Sequence, residues 1–200
     1  MPRRRLLPLA LAALAVLGAG CSDTVSPAVR VDDAAIGNDA LLAEIGEWGG
    51  NAALLEAVQF PPELVEGGSP GSYSTELVGF VLGSRIGFEL HRAEFEDRGL
   101  ELREVHQATV REQLFGDPQV TAQVLDSFSD DYAQSLVDDI ARQIALEEDL
   151  GAEYPTWAEA AYAAAEVEVN PRYGSWDAES RQVVGPEGPI TRTSDVQPLG

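Results

Sequence analysis

The 200-residue sequence contains no lysine, because all 13 of its basic residues are arginine. This absence excludes chemistry that needs a lysine, such as a Schiff base or the phosphate contact of a P-loop. A single cysteine excludes an intramolecular disulfide and a multi-cysteine metal cluster. With 34 acidic residues the formal net charge is −21, so the chain lacks the basic face that binds nucleic acid.

The first residues have the pattern of an export signal. Arg3–Arg5 precede the uncharged run 6–20, which as a helix spans only about 22 Å, short of a ~30 Å bilayer core. The run ends in LGAGC, which resembles the bacterial lipobox and implies cleavage before Cys21 and lipidation of its thiol. We expect residues 1–20 to be a signal peptide and 21–30 a lipidated cysteine with its tether. The alternative is a plain secretory signal with an incidental cysteine.

Apolar residues at helical spacing dominate the remainder of the chain. Cap and stop residues place helices at about 38–48, 52–58, 74–98, 103–115, 118–128, 130–150 and 156–166. A hairpin or extended entry is expected at 29–36, and a short strand at 167–169. We therefore predict an all-α fold, an orthogonal multi-helix domain over 31–176 with at most a short strand segment. The Pro-, Gly-, Ser- and Thr-rich segment 177–200 is predicted to be a disordered tail.

The sequence offers no convincing catalytic or metal-binding motif. Residues 67–71 match the G-x-S-x-G pattern of serine hydrolases, but Pro70 follows the serine and has no N–H for an oxyanion hole. His91 and His106 are the only histidines, and neither has the spacing of a metal ligand pair. We therefore predict no catalytic residues, no metal and no cofactor, and do not expect an enzyme.

Three glycines, Gly79, Gly83 and Gly87, recur every four residues in the longest predicted helix. Each costs about 1 kcal/mol relative to alanine in a helix interior, so the stripe needs a reason. We expect it to let a neighbouring helix approach closely within the domain. The alternative is a flexible helix that opens a groove.

Three segments resemble the N-terminal chaperone domain of SurA-type and PrsA-type foldases, especially small lipoproteins of that group. The segment 31–36 (VDDAAI) looks like the entry of that family, with Asp33 where a glycine is expected. The long helix ends in 98–102 (RGLEL), and 167–176 (VEVNPRYGSW) resembles a segment near the C-terminus of such lipoproteins. A parvulin domain has no counterpart here, so the resemblance implies chaperone function without prolyl-isomerase activity.

The resemblance implies an exported holdase that binds unfolded or partly folded proteins in a groove between helices. Trp48 and Phe60, beside the Gly- and Pro-rich loop, are the candidate client-binding residues. The lipid on Cys21 is the expected link to the outer face of the cytoplasmic membrane, or to an outer membrane in a cell that has one. The alternative function is an accessory envelope lipoprotein that binds one specific protein partner.

Overall fold

A computed structural model of the chain describes residues 26–185. Cys21 and the predicted signal peptide lie outside the described residues. The described part is mostly helical, with α1 (Asn38–Gly50), α2 (Ala52–Ala57), α3 (Thr75–Asp97), α4 (Glu104–Gln113), α5 (Pro118–Asp126), α6 (Asp130–Leu150) and α7 (Tyr154–Ala164). Short 3-10 turns occupy Pro62–Leu64 and Gly151–Glu153. Among these residues no helix is both long and apolar enough to cross a membrane.

Local sequence signals determine both ends of α3 and the start of α5. Ser74 caps α3 by accepting a hydrogen bond from the backbone N–H of Leu77 at 3.0 Å. Asp117 caps α5 in the same way, accepting from the N–H of Gln119 at 2.7 Å, with Pro118 in the first turn. Gly99 follows α3 with φ +64°, a left-handed conformation that glycine adopts without strain.

The hydrophobic core surrounds α3, which contacts α1, α6 and α7 and two of the strands. Its Leu77, Val78, Val81, Leu82 and Ile86 are fully buried. Apolar residues lie on nearly all sides of the first half of α3, a pattern that favours burial of the whole segment. Phe80 departs from that prediction, because its side chain is 39% exposed.

Within residues 26–185 five short strands accompany the helices, more than the single short strand segment that the predicted all-α fold allows. β1 (Val29–Val31) pairs antiparallel with β2 (Ala34–Ile36) and with β3 (Val167–Val169). A hairpin or an extended entry was expected at 29–36, and the structure shows the hairpin. The strand predicted at 167–169 is confirmed and lies in the same sheet, ordered β2-β1-β3. Each strand is three residues long, too short for an alternating pattern to predict it reliably.

The predicted boundaries of the tether and the tail both differ from the structure. Ala28 and Val29 are fully buried, so the folded part begins within the predicted tether 21–30. At the other end β4 (Ser175–Asp177) pairs antiparallel with β5 (Gln182–Val184). Residues 177–185 therefore belong to the fold, although they were predicted to open a disordered tail. The burial of Val183 against α3 explains the difference.

Candidate functional site

A groove with both apolar and polar lining lies between the N-terminal half of α3 and strand β5. It encloses about 480 Å³ and is lined by Phe60, Thr75, Glu76, Gly79, Phe80, Gln182, Val183 and Gly185. We call it the α3–β5 groove. Phe60 and Phe80 give it an aromatic wall, and Glu76 places a carboxylate at its edge.

Three aromatic rings form the wall of the α3–β5 groove and its support. The ring of Phe80 lies 5.7 Å from that of Phe60 and 5.3 Å from that of Trp48, centroid to centroid. Trp48 is 6% exposed, and its indole N–H donates a hydrogen bond to the hydroxyl of Tyr132. Phe60 is half-buried against the core. Phe60 and Phe80 thus line the groove, whereas Trp48 is outside the lining and packs against the ring of Phe80.

Trp48 and Phe60, the two predicted client-binding residues, are therefore brought together by a third aromatic residue, Phe80, which the sequence pattern does not single out. Phe80 joins Trp48 and Phe60 and is the most exposed of the three rings. This exposure cannot be predicted from the sequence, because Phe80 lies in a helix segment with apolar residues on nearly all sides. Val183 was missed because it lies in the predicted tail. Cys21, the predicted lipidation site, lies outside the described residues.

The glycine stripe of α3 makes room for the groove's second wall. A Cβ atom on Gly79 would lie 2.8 Å from the carbonyl oxygen of Val183, so β5 packs directly on the bare helix surface. A Cβ on Gly87 would meet the hydroxyl of Tyr162, from α7, at 2.6 Å. The expected close approach within the domain is confirmed, but at Gly79 the neighbour is a strand and not a helix.

Buried charged side chains lie where α1, α3 and α6 meet. Glu44, Glu89 and Asp139 are each less than a tenth exposed. Arg85 of α3 pairs with Glu89 at 3.2 Å and with Asp139 of α6 at 3.3 Å. Arg142 makes a second contact to Asp139 at 2.7 Å. Such pairs fix how the helices meet, because removing one partner leaves a buried charge uncompensated.

Glu44 is the carboxylate of this cluster with the least direct compensation. It accepts a hydrogen bond from the hydroxyl of Tyr132 at 3.0 Å, and no arginine lies within ion-pair distance of it among the described residues. Burial raises the pKa of the Glu44 carboxyl above its ordinary value, although the more distant charge of Arg85 opposes the shift. Burial also raises the pKa of Tyr132, so its hydroxyl stays protonated.

Both histidines are buried and hydrogen-bonded, as a structural role predicts. The Nδ1–H of His91 donates to the carbonyl oxygen of Gly87 at 2.6 Å, which leaves Nε2 to accept from the hydroxyl of Tyr154 at 2.8 Å. His106 is 2% exposed and places Nε2 3.2 Å from Glu148. Within residues 26–185 no group of three or more His, Cys, Asp or Glu side chains is placed to hold a metal ion.

In the α3–β5 groove the polar groups are those of Thr75, Glu76 and Gln182, and none is hydrogen-bonded to a histidine that could activate it. In comparisons with known proteins, no family model, no curated protein and no solved structure matches the chain.

Proposed function

We propose that the protein is an exported, lipid-anchored holdase that binds apolar segments of other exported proteins in the α3–β5 groove. Cys21 would carry the lipid, and binding would need no cofactor and no prolyl-isomerase activity. The SurA-like relationship and the orthogonal arrangement of the helices are parts of the same proposal. The observation that carries it is the exposed ring of Phe80 beside Phe60 in a groove of about 480 Å³.

The energetics of the groove favour apolar ligands. A phenylalanine side chain contributes about 1.5 to 3 kcal/mol when it passes from full exposure to full burial, and Phe80 has 39% of its side chain still to bury. A ligand side chain seated against Phe60 and Phe80 would add its own burial and an aromatic contact. Glu76 and the strongly acidic chain would keep the loaded form soluble.

The size of the groove favours a second candidate, an accessory lipoprotein that binds one specific partner. A promiscuous holdase generally exposes an apolar patch of several hundred Å². The α3–β5 groove, at about 480 Å³, is near the lower end of the range for ligand sites and takes a few side chains at a time. A single partner with a matching apolar anchor would use it fully.

A client-aggregation assay separates the two candidates. Three unrelated proteins are diluted from denaturant and their light scattering is followed with and without a molar excess of this protein, at low and high salt. A holdase that works by apolar burial suppresses scattering of all three at both salt concentrations. If none of the three is protected, the general chaperone function is wrong, and one partner should be sought by pull-down from the envelope.

A pair of variants tests whether the groove does the binding. Phe80→Ala removes the exposed ring and should abolish most of the protection. Val105→Ala, on α4, shortens another exposed apolar side chain, 56% exposed, and should leave the protection unchanged. Equal loss in both variants would mean that clients bind elsewhere on the surface.

A further inference from the structure

A second groove lies at the C-terminal end of α3, where this helix meets α7. It encloses about 290 Å³ and combines an alanine floor, one indole and three carboxylates: Ala93, Ala161, Trp157, Asp32, Glu94 and Asp97. Along α3, Ala93 lies roughly 20 Å from Phe80 at 1.5 Å per residue, so this site is separate from the α3–β5 groove. We propose that the α3–α7 groove binds an arginine or lysine side chain of another polypeptide.

The floor of the α3–α7 groove fits the aliphatic stem of such a side chain. Ala93 comes from α3 and Ala161 and Ala164 from α7, and their methyl groups leave room where larger side chains would fill it. No residue of α7 is fully buried, so this helix keeps its apolar face partly open. Long basic side chains bury their stems on such surfaces and keep the charged head at the edge.

The charge around the groove is complementary to a cation. Glu94 is paired with the Nε of Arg98 at 2.6 Å, and Arg98 is also shared with Asp149 at 2.8 Å. Asp97 has no ion-pair partner among residues 26–185. Asp32 accepts only a neutral donor, the backbone N–H of Glu166, at 2.9 Å. Of the three groove carboxylates only Glu94 has an ion-pair partner among the described residues, and that guanidinium is shared with Asp149 outside the groove. A second cation would relieve the excess negative charge.

Trp157 provides the specific contact that a diffuse acidic surface would lack. Its ring is held by His91 at 5.3 Å and by Tyr154 at 5.7 Å, centroid to centroid. Burial lowers the pKa of His91, so its imidazole is neutral at pH 7 and does not repel a bound cation. The indole of Trp157 is therefore placed to make a cation–π contact with a guanidinium or ammonium in the cavity, and tryptophan is the best aromatic partner for cations.

The test compares charged and neutral ligands of the same shape. The peptide acetyl-Ala-Leu-Arg-Leu-Ala-amide is titrated by calorimetry into the full chain, alongside the same peptide with citrulline, the neutral isostere of arginine. We expect the arginine peptide to bind about fivefold more tightly, the upper end of what a partly exposed ion pair contributes. Equal affinities would overturn the proposal. So would binding of agmatine as tight as that of the arginine peptide, which would indicate a site for small cations.

Matched variants locate the binding. Asp97→Asn and Asp126→Asn remove the same charge, but Asp126 is at the end of α5, outside the groove. Only Asp97→Asn should weaken binding of the arginine peptide, and equal weakening by both variants would indicate attraction to the net charge alone.

A second pair of variants tests the cavity itself. Ala161→Leu fills the cavity, whereas Ala163→Leu enlarges an exposed position of α7 outside it. Only Ala161→Leu should abolish binding, and Ala164→Leu replaces it if circular dichroism shows misfolding.

Discussion

Asn51 illustrates how a single polar side chain can join helices in this protein. It is fully buried, accepts a hydrogen bond from the N–H of Leu54 at 2.9 Å and donates one to the carbonyl oxygen of Val124 at 2.9 Å. The first contact caps α2, and the second ties that cap to α5. One residue therefore fixes both the start of a helix and its neighbour.

Asn51→Ala should destabilise the protein by about 2 kcal/mol, because it removes a cap and one of the two hydrogen bonds to the carbonyl oxygen of Val124, which keeps only the N–H of Ser127. Asp117→Ala removes an exposed cap of α5 and should cost only about 1 kcal/mol. Urea unfolding of the two variants measures the difference. Equal losses would mean that the contact to Val124 contributes nothing.

Glu44 gives stability a particular dependence on pH. Burial raises its pKa in the folded state, so the folded protein holds this proton more tightly than the unfolded chain does. The stability due to this proton is present below the unfolded pKa, near 4.5, and is lost as the pH rises through the folded value. Glu44→Gln keeps an oxygen that can accept from Tyr132 but removes the titration.

The variant Glu44→Gln should therefore gain in stability relative to wild type as the pH rises from 4 to 7. Chemical unfolding of both proteins at four or five pH values measures the difference directly. Glu112→Gln, an exposed change on α4, provides the baseline for loss of one acidic charge. A difference between wild type and Glu44→Gln that stays constant with pH would show that the buried carboxyl does not titrate as inferred.

At the scale of elements, Gly79 is a point of close approach between α3 and strand β5. A methyl group on Gly79 would lie 2.8 Å from the carbonyl oxygen of Val183, a distance that forces the strand to move. On Gly83 the nearest atom is the carbonyl oxygen of Arg181 at 3.9 Å, an ordinary contact. The two positions share a helix and a face, and differ only in this clearance.

Gly79→Ala and Gly83→Ala should therefore change stability in opposite directions. Gly83→Ala should stabilise by roughly 0.5 to 1 kcal/mol through helix propensity. Gly79→Ala should destabilise by about 1 to 3 kcal/mol, the usual cost of overpacking, and should weaken binding in the α3–β5 groove. Thermal unfolding of the two variants measures both changes in stability. Stabilisation by both would show that β5 is not tightly packed on α3.

The helices could be predicted from the sequence and the second wall of the groove could not. Asp117 before Pro118, and Gly99 after α3, determine helix ends through contacts within a few residues. Strand β5 is three residues long and is held by Gly79, which is distant in the sequence, so no local pattern predicts it. Phe60 was selected because it adjoins the Pro-rich loop. The exposure of Phe80 depends on how far β5 and α1 cover α3, which only the tertiary structure determines.

At the scale of the whole molecule, the fold includes strand β5, which lies beyond the predicted end of the domain. The sequence predicted an end at Trp176, whereas the structure continues through β5 to Gly185. Val183 is 7% exposed and belongs to the main core, so the last strand contributes apolar burial as well as backbone pairing. The groove also needs Val183 and Gly185 for its second wall. Stability and binding should therefore share one C-terminal limit.

Two truncated chains test this limit. A chain that stops after Gly185 should unfold at the same temperature as the full chain and protect clients equally well. A chain that stops after Trp176 loses β5, leaves the surface of α3 around Gly79 less covered and removes one wall of the groove. It should lose roughly 2 to 4 kcal/mol, the range for removing large core side chains, together with client protection. Calorimetric melting and the aggregation assay measure the two effects on the same samples. If the shorter chain retained full stability, β5 would be an appendage, and the groove would have to be assigned to α3 and Phe60 alone.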